Sequence, residues 1–251
     1  QADADGVSVC AHAKTRRVFR FAYEAIHQGV VQEAVNVTVK VIDARRIGVA
    51  SADTLDGESL RRCVRAAAHI ARHSPPQDLL PELPRGRRIA STTDARPSTV
   101  RLSAAACVGR LKRLFQLTQG AGASLAGSLV TGTDEFAVVN SAGARCYHAS
   151  TVAGAKVVTM YRALSGYASG VHRDVERLDL EGLLKRSLGQ SLHRTEPVTL
   201  PLGAYEVILE PEAAADLVSW LGYTAFGAKS MEERTSFLAG RMGERVMGEA
   251  V

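Results

Sequence analysis

Val35-Asn36-Val37-Thr38-Val39-Lys40-Val41 alternates a β-branched apolar residue with a polar one over its whole length. Successive side chains of a strand point to opposite faces, so this stretch lays its valines on one side and its polar groups on the other. It predicts a half-buried strand. A turn around Asp43 and Ala44 leads into a second short strand, Arg45 to Ser51. Upstream, Val18, Arg20, Ala22 and Glu24 alternate with Phe19, Phe21 and Tyr23, which predicts a further strand. The chain therefore opens as a sheet.

Helical spacing follows. Asp56 is placed to cap a helix on which Leu60, Val64, Ala67, Ala68 and Ala71 share a face, and Ser74-Pro75-Pro76 ends it. Residues 75–98 hold five of the eight prolines and the basic run Arg85-Gly86-Arg87-Arg88, which predicts a long, extended and mobile connection. A second helix runs from about Ser103 to Gln119 with Cys107, Leu111, Leu114 and Phe115 as its apolar stripe. From Gly120 to His172 short β-prone runs alternate with turns. Phe136 to Val139 and Ala144 to Ser150 form a hairpin about Asn140-Ser141-Ala142-Gly143, and Val152 to Arg162 reads as the next strand of a meander. A third helix, capped by Asp179, carries Leu180, Leu183, Leu184, Leu188 and Leu192. Thr195 to Gly203 reads as a linker, followed by a strand at Tyr205 to Leu209 and a helix from about Glu212. The sum is an α+β chain. An N-terminal α/β domain with a mixed or antiparallel sheet and packed helices covers residues 1–198, and the start of a β-rich C-terminal domain covers 199–251.

Hydrophobic residues are 46% and charged residues 23% of the 251, a balance that supports a buried core and excludes intrinsic disorder. The 31 Lys and Arg against 26 Asp and Glu leave a net charge of +5, which an Arg-rich surface explains without nucleic acid. Aromatic residues are 5%, so stacking platforms for single strands are scarce, and Arg85–Arg88 reads as a solvated loop rather than a phosphate site. Cys10, Cys63, Cys107 and Cys146 form no CxxC pair, which points to buried thiols in a reducing compartment. With no apolar run of membrane-spanning length and no secretory leader pattern, the expectation is a cytoplasmic protein without membrane contact.

Each candidate site has a plainer reading beside it. His69 and His73 lie four apart on one helix face, but the residues between them include no glutamate to activate a water, so a solvated face is preferred. Cys146 and His148 share a strand face, as do Cys10 and His12, and neither pair has a third ligand near it in sequence. Gly120-Ala121-Gly122 with Gly127 follows a helix and leads into strands, the reverse of a dinucleotide loop, so tight turns account for it. Ser124 misses the nucleophile elbow because Ala126 stands where the last glycine belongs.

Tyr205-Glu206-Val207-Ile208-Leu209-Glu210-Pro211-Glu212-Ala213, taken with Ser236-Phe237-Leu238-Ala239-Gly240-Arg241-Met242-Gly243-Glu244-Arg245-Val246, closely resembles the TldD/PmbA family of modulators of DNA gyrase. Asp43 to Ser51 resembles the family's early strand pair, and Asn140-Ser141-Ala142-Gly143 its asparagine-serine-x-glycine hairpin, so the likeness covers nearly the whole chain in order. Family members are considerably longer, which would leave only the opening of the second domain before Val251.

The resemblance implies a cytoplasmic peptidase system that trims modified peptides and degrades unfolded ones. In it, one subunit carries a zinc-binding HExxxH helix and a similar partner lacks it. Laid on this chain, the two histidine positions fall at Ser219 and Thr224 and the glutamate position at Trp220, and no histidine follows His193 in any register. Hydroxyls replace two imidazoles as zinc ligands poorly, and indole offers only a donor N–H. The expectation is a non-catalytic, peptide-processing subunit with no metal, cofactor or catalytic residue of its own, in a heterodimer with an HExxxH-bearing TldD-like subunit that holds the zinc. Ala213, Leu217, Trp220, Leu221 and Thr224 would then be the apolar face of a packing helix, with Trp220 buried. The alternative is a stand-alone peptide-binding or regulatory protein, including a gyrase-modulator or nucleic-acid-associated role; nucleic acid is the less favoured partner.

Overall fold

The computed structural model of the chain describes residues 4–78, 80, 82–86, 91–193 and 198–248. It divides into two compact units, Gln1–Arg194 and Thr195–Val251. The first unit runs β1 (Gly6–Ala22), β2 (Ala25–Asp43), β3 (Arg46–Ala52), α1 (Gly57–His73), β4 (Thr92–Asp94), α2 (Pro97–Val100), α3 (Ala104–Gly120), β5 (Ser124–Asn140), β6 (Arg145–Tyr161), β7 (Leu164–His172) and α4 (Leu180–Ser191). The second holds α5 (Pro211–Thr224) and α6 (Ala228–Glu232). No helix among the described residues is long and apolar enough to cross a membrane.

The seven strands form one mixed sheet in the order β3-β2-β1-β5-β6, with β4 parallel and β7 antiparallel along successive stretches of the outer edge of β6. The alternation in Val35–Val41 sets the inside of the sheet. Val39 and Val41 are buried beneath the small residues Cys63, Ala67 and Ala71 of α1, beside Val7 and Val9 of β1. The same parity of β1 brings Phe19 and Phe21 under α3 and α4, with Leu125 and Leu129 of β5 and Ala153, Ala155 and Val157 of β6. One face of the sheet therefore carries the helices. The opposite face bears Cys10, His12, Lys14, Arg16 and Val18 of β1 and is left open among the described residues.

Close approach is obtained with glycine. A Cβ on Gly48 of β3 would lie 1.9 Å from the Ala67 carbonyl, and one on Gly166 of β7 would lie 1.9 Å from that of Ser187.

Several expectations need correction. The strand expected through Glu24 stops at Ala22, because Tyr23 and Glu24 (φ 49° and 58°) form the loop of the β1–β2 hairpin. Ala44 and Arg45 (φ 46° and 62°) do the same between β2 and β3, so β3 starts at Arg46. Positive φ at both loop positions matches the twist of the flanking strands. Val152 to Arg162 is no separate strand: β6 runs unbroken from Arg145 to Tyr161, paired with β5 to Met160, and the next strand of the meander is β7. The Pro-rich connection is partly built into the fold. Arg85 bridges Gly143, β4 joins the sheet, and Pro97 opens α2, whose buried Thr99 donates to the Arg173 carbonyl at 2.9 Å. Leu79, Pro81 and Arg87–Ala90 of that connection, and Arg194–Pro197 at the expected linker, lie outside the described residues. Tyr205–Leu209 belongs to no strand, and the described part of the second unit contains no strand at all.

Candidate functional site

The helix on which the resemblance lays the metal-binding positions is α5. Pro211 suits its first turn, where an N–H would lack a partner in any case. Ser219, Trp220 and Thr224 are all exposed, Trp220 to 67%. The Thr224 hydroxyl donates to the Trp220 carbonyl at 2.8 Å and is thereby tied to its own helix. Trp220 meets Tyr223 edge-on, with ring centroids 6.1 Å apart.

The packing face expected of this helix is not covered: α5 has no buried residue. Without a strand at Tyr205–Leu209, the described part of the unit offers no sheet for it to pack on. A zinc ion does not fit these positions. Two aliphatic hydroxyls, one already bonded to backbone, and an indole supply neither the ligands nor the base that such a site uses.

The residues that carry the family resemblance shape turns. Ser236 is buried; its hydroxyl donates to the Ala225 carbonyl at 2.8 Å and accepts from Leu238 N–H at 3.1 Å, fastening the following turns to the end of α5. Gly240 and Gly243 take φ of 77° and 83°, where a side chain would be strained. In the first unit the Asn140 side chain accepts from Ala144 N–H at 2.9 Å and donates to the Pro84 carbonyl at 3.0 Å. Ser141 exchanges two bonds with the Val7 backbone, at 2.8 and 3.0 Å.

The remaining candidates fall into place as parts of the sheet and helices. The His69 and His73 rings lie tilted to one another with centroids 4.4 Å apart, and His73 Nδ1 lies 2.8 Å from the His69 carbonyl. Among the described residues no group of three or more His, Cys, Asp or Glu is placed to hold a metal. Cys10/His12 and Cys146/His148 share the open face but are separated by β5, in the rows Cys10–Val138–Cys146 and His12–Phe136–His148. The His12 ring stacks on Phe136 at 4.0 Å, and His148 Nδ1 bonds the Thr92 hydroxyl at 2.7 Å. Gly122, at φ 67°, turns the chain after α3, and Ser124 opens β5.

One cluster on that face was not anticipated. Asp134 of β5 accepts from Arg16 at 2.6 Å and bonds His12 at 3.1 Å, and Arg16 also donates to the Thr15 and Thr133 carbonyls. Burial pushes the Asp134 carboxyl up, but the hydrogen bonds and charges of Arg16 and His12 outweigh it and hold the group below its usual range. The alternation His12-x-Lys14-x-Arg16 is the signal in the sequence, but pairing it with Asp134 requires the register of two strands far apart in the chain. On the helix side, burial pushes the Cys107 thiol up, so it is an inert core residue.

Residues 202–251 match the PmbA/TldA metallopeptidase C-terminal domain. No curated protein matches the chain. Among solved structures, TldE from Thermococcus kodakarensis is similar over 98% of this chain and 57% of its own, with 18% identity and a TM-score of 0.77. A candidate modulator of a DNA gyrase from Thermotoga maritima is similar over 96% of this chain and 56% of its own (17% identity, TM-score 0.79). A candidate modulator of DNA gyrase from Bacteroides thetaiotaomicron is similar over 97% and 58% (14%, 0.72). The chain thus spans somewhat more than half the length of these structures, and at such identities the likeness to them is one of fold. The resemblance to the TldD/PmbA family holds on two grounds, the match of the terminal segment and the α+β fold shared with TldE.

Proposed function

From a chain that resembles the TldD/PmbA family in its terminal segment and in its fold, we propose the non-catalytic subunit of a TldD/TldE-type metallopeptidase complex that processes or degrades unfolded and modified peptides. One observation carries the reading: α5 presents Ser219, Trp220 and Thr224, and the threonine hydroxyl is bonded to backbone. Zinc and the general base then belong to an HExxxH-bearing partner. This chain contributes surface, and the exposure of Leu217, Trp220 and Tyr223 on α5 is consistent with a helix that is completed by other polypeptide. Such a complex belongs in the cytoplasm.

The second reading, a stand-alone peptide-binding or regulatory protein, is favoured by the open sheet face, where Phe136 and Val171 are exposed. Elemental analysis of the chain purified without chelators tests the first reading. Sub-stoichiometric zinc is expected. A full equivalent of zinc held through dialysis would overturn it.

A further inference from the structure

His69 and His73 stand one turn apart on α1, and both are exposed. Spacing alone leaves them on a solvated face. The folded chain adds the placement of the rings, which are tilted by 32° with centroids 4.4 Å apart. Two imidazoles bound to one ion through nitrogens at about 2.0–2.1 Å, on adjacent coordination positions at right angles, set their centroids roughly 4.5 Å apart. The pair already has the separation that a shared ion needs, so no backbone movement is called for. It also has a fixed tautomer. His73 Nδ1 lies 2.8 Å from the His69 carbonyl, and a carbonyl only accepts, so Nδ1 carries the proton and the lone pair is on Nε2. A backbone carbonyl on the second ring nitrogen is the usual means of orienting a histidine ligand. By contrast, His12 and His148 stand on either side of Phe136, and each spends a ring nitrogen on a side chain, Asp134 and Thr92 respectively.

We propose that His69 and His73 chelate a divalent ion of the nickel and copper class, with water filling its remaining positions. Imidazole suits these ions, and two nitrogen donors without a carboxylate offer little to magnesium or calcium. Among the described residues no third His, Cys, Asp or Glu joins the pair. The ion is therefore held by two bonds on an open surface and exchanges readily, unlike zinc in a closed four-ligand site. Zinc binds a given nitrogen site less tightly than copper, so two imidazoles alone would release it in dialysis. Arg65 and Arg72 flank the pair and oppose a cation, but His73 is the last residue of α1, where the negative end of the helix dipole favours one. An ion shared by residues 69 and 73 clips the last turn of the helix ahead of Ser74, and it can do so only while that turn is helical.

Titration calorimetry of the untagged, metal-free chain with nickel chloride, at about pH 7.5 where imidazole is neutral, tests the proposal. It reads neither zinc retention nor peptidase activity, so its outcome is separate from that of the proposed function. One Ni(II) per chain is expected. His69→Ala and His73→Ala should each weaken binding by at least about tenfold, since the second imidazole acts at high effective concentration, and both should keep the far-ultraviolet circular dichroism of the parent. His193→Gln, at an exposed histidine elsewhere in the chain, should leave binding unchanged. Nickel should also raise the urea midpoint of the parent but not that of His73→Ala, because only the folded helix holds both rings in place. No nickel binding, binding that survives either alanine substitution, an equal loss in His193→Gln, or an equal rise in midpoint for His73→Ala would each overturn the assignment.

Discussion

Asp134 is an acceptor in the sheet's interior, with one guanidinium and one imidazole on it and its side chain mostly out of solvent. Its folded pKa is depressed, so it stabilises the fold above the unfolded value of about 3.9 and the contribution is lost as pH falls through the folded value. Asp134→Asn is therefore expected to cost about 1.5–3 kcal/mol in urea unfolding at neutral pH, and the gap to the parent should close below about pH 4. A gap independent of pH would assign the loss to packing. At the β2–β3 loop the strain runs the other way. Ala44 holds φ of 46°, which a residue with a Cβ disfavours by about 1–2 kcal/mol, so Ala44→Gly is expected to raise the urea midpoint. Side chains that act on their own neighbourhood were legible: Asp56 and Asp179 each cap the helix assigned to them, accepting N–H groups of the first turn, whereas Ser103, read as the first residue of its helix, proves to be its cap. The Arg16–Asp134–His12 cluster was not, because only the pairing of β1 with β5 brings it together.

At the level of elements, α4 shows what an apolar spacing omits. Of the leucines that predicted it, Leu180, Leu183, Leu184 and Leu188 point at the core and Leu192, past its end, is exposed, but Ser187 and Ser191 are buried too, and both bond the Thr159 hydroxyl, at 2.8 and 2.9 Å. Ser187 also accepts from Thr159 N–H and donates to the Gly166 carbonyl, so one hydroxyl serves two strands. Ser187→Ala is expected to destabilise by about 1–3 kcal/mol, since it takes the hydroxyl partner from the Thr159 N–H and the Gly166 carbonyl while Ser191 still serves the Thr159 hydroxyl, and hydrogen exchange of the Thr159 amide should accelerate. Unchanged exchange would mean that water replaces the hydroxyl at no cost. Gly48→Ala should be costlier than an ordinary surface substitution, by about 2 kcal/mol or more, because β3 and α1 must separate to admit the Cβ. Strand existence was legible from period-two alternation, and strand ends were not. Tyr23, Glu24, Ala44 and Arg45 take loop conformations that their residue types disfavour, and β4 is fixed by its place beside β6 rather than by any pattern of its own.

For the molecule as a whole, the first unit explains itself: one sheet, helices on one face, a closed core. The second unit was legible as a helix after Pro211 and opaque as a packing arrangement, because an apolar stripe announces burial without naming what buries it. Trp220, expected to be buried, is mostly exposed, so its removal should change the stability of the isolated chain by little, within about 1 kcal/mol. In the proposed complex, chemistry resides on a partner, and this chain is required without supplying it. The most direct measurement is cleavage of an unfolded peptide by this chain, by an HExxxH-bearing TldD-like chain, and by the two mixed and co-purified. Zinc-dependent cleavage is expected in the mixture, none from this chain alone, and no loss in the mixture when Ser219 and Thr224 are both replaced by alanine. Zinc-dependent cleavage by this chain alone, abolished by the same replacements, would contradict that division of roles.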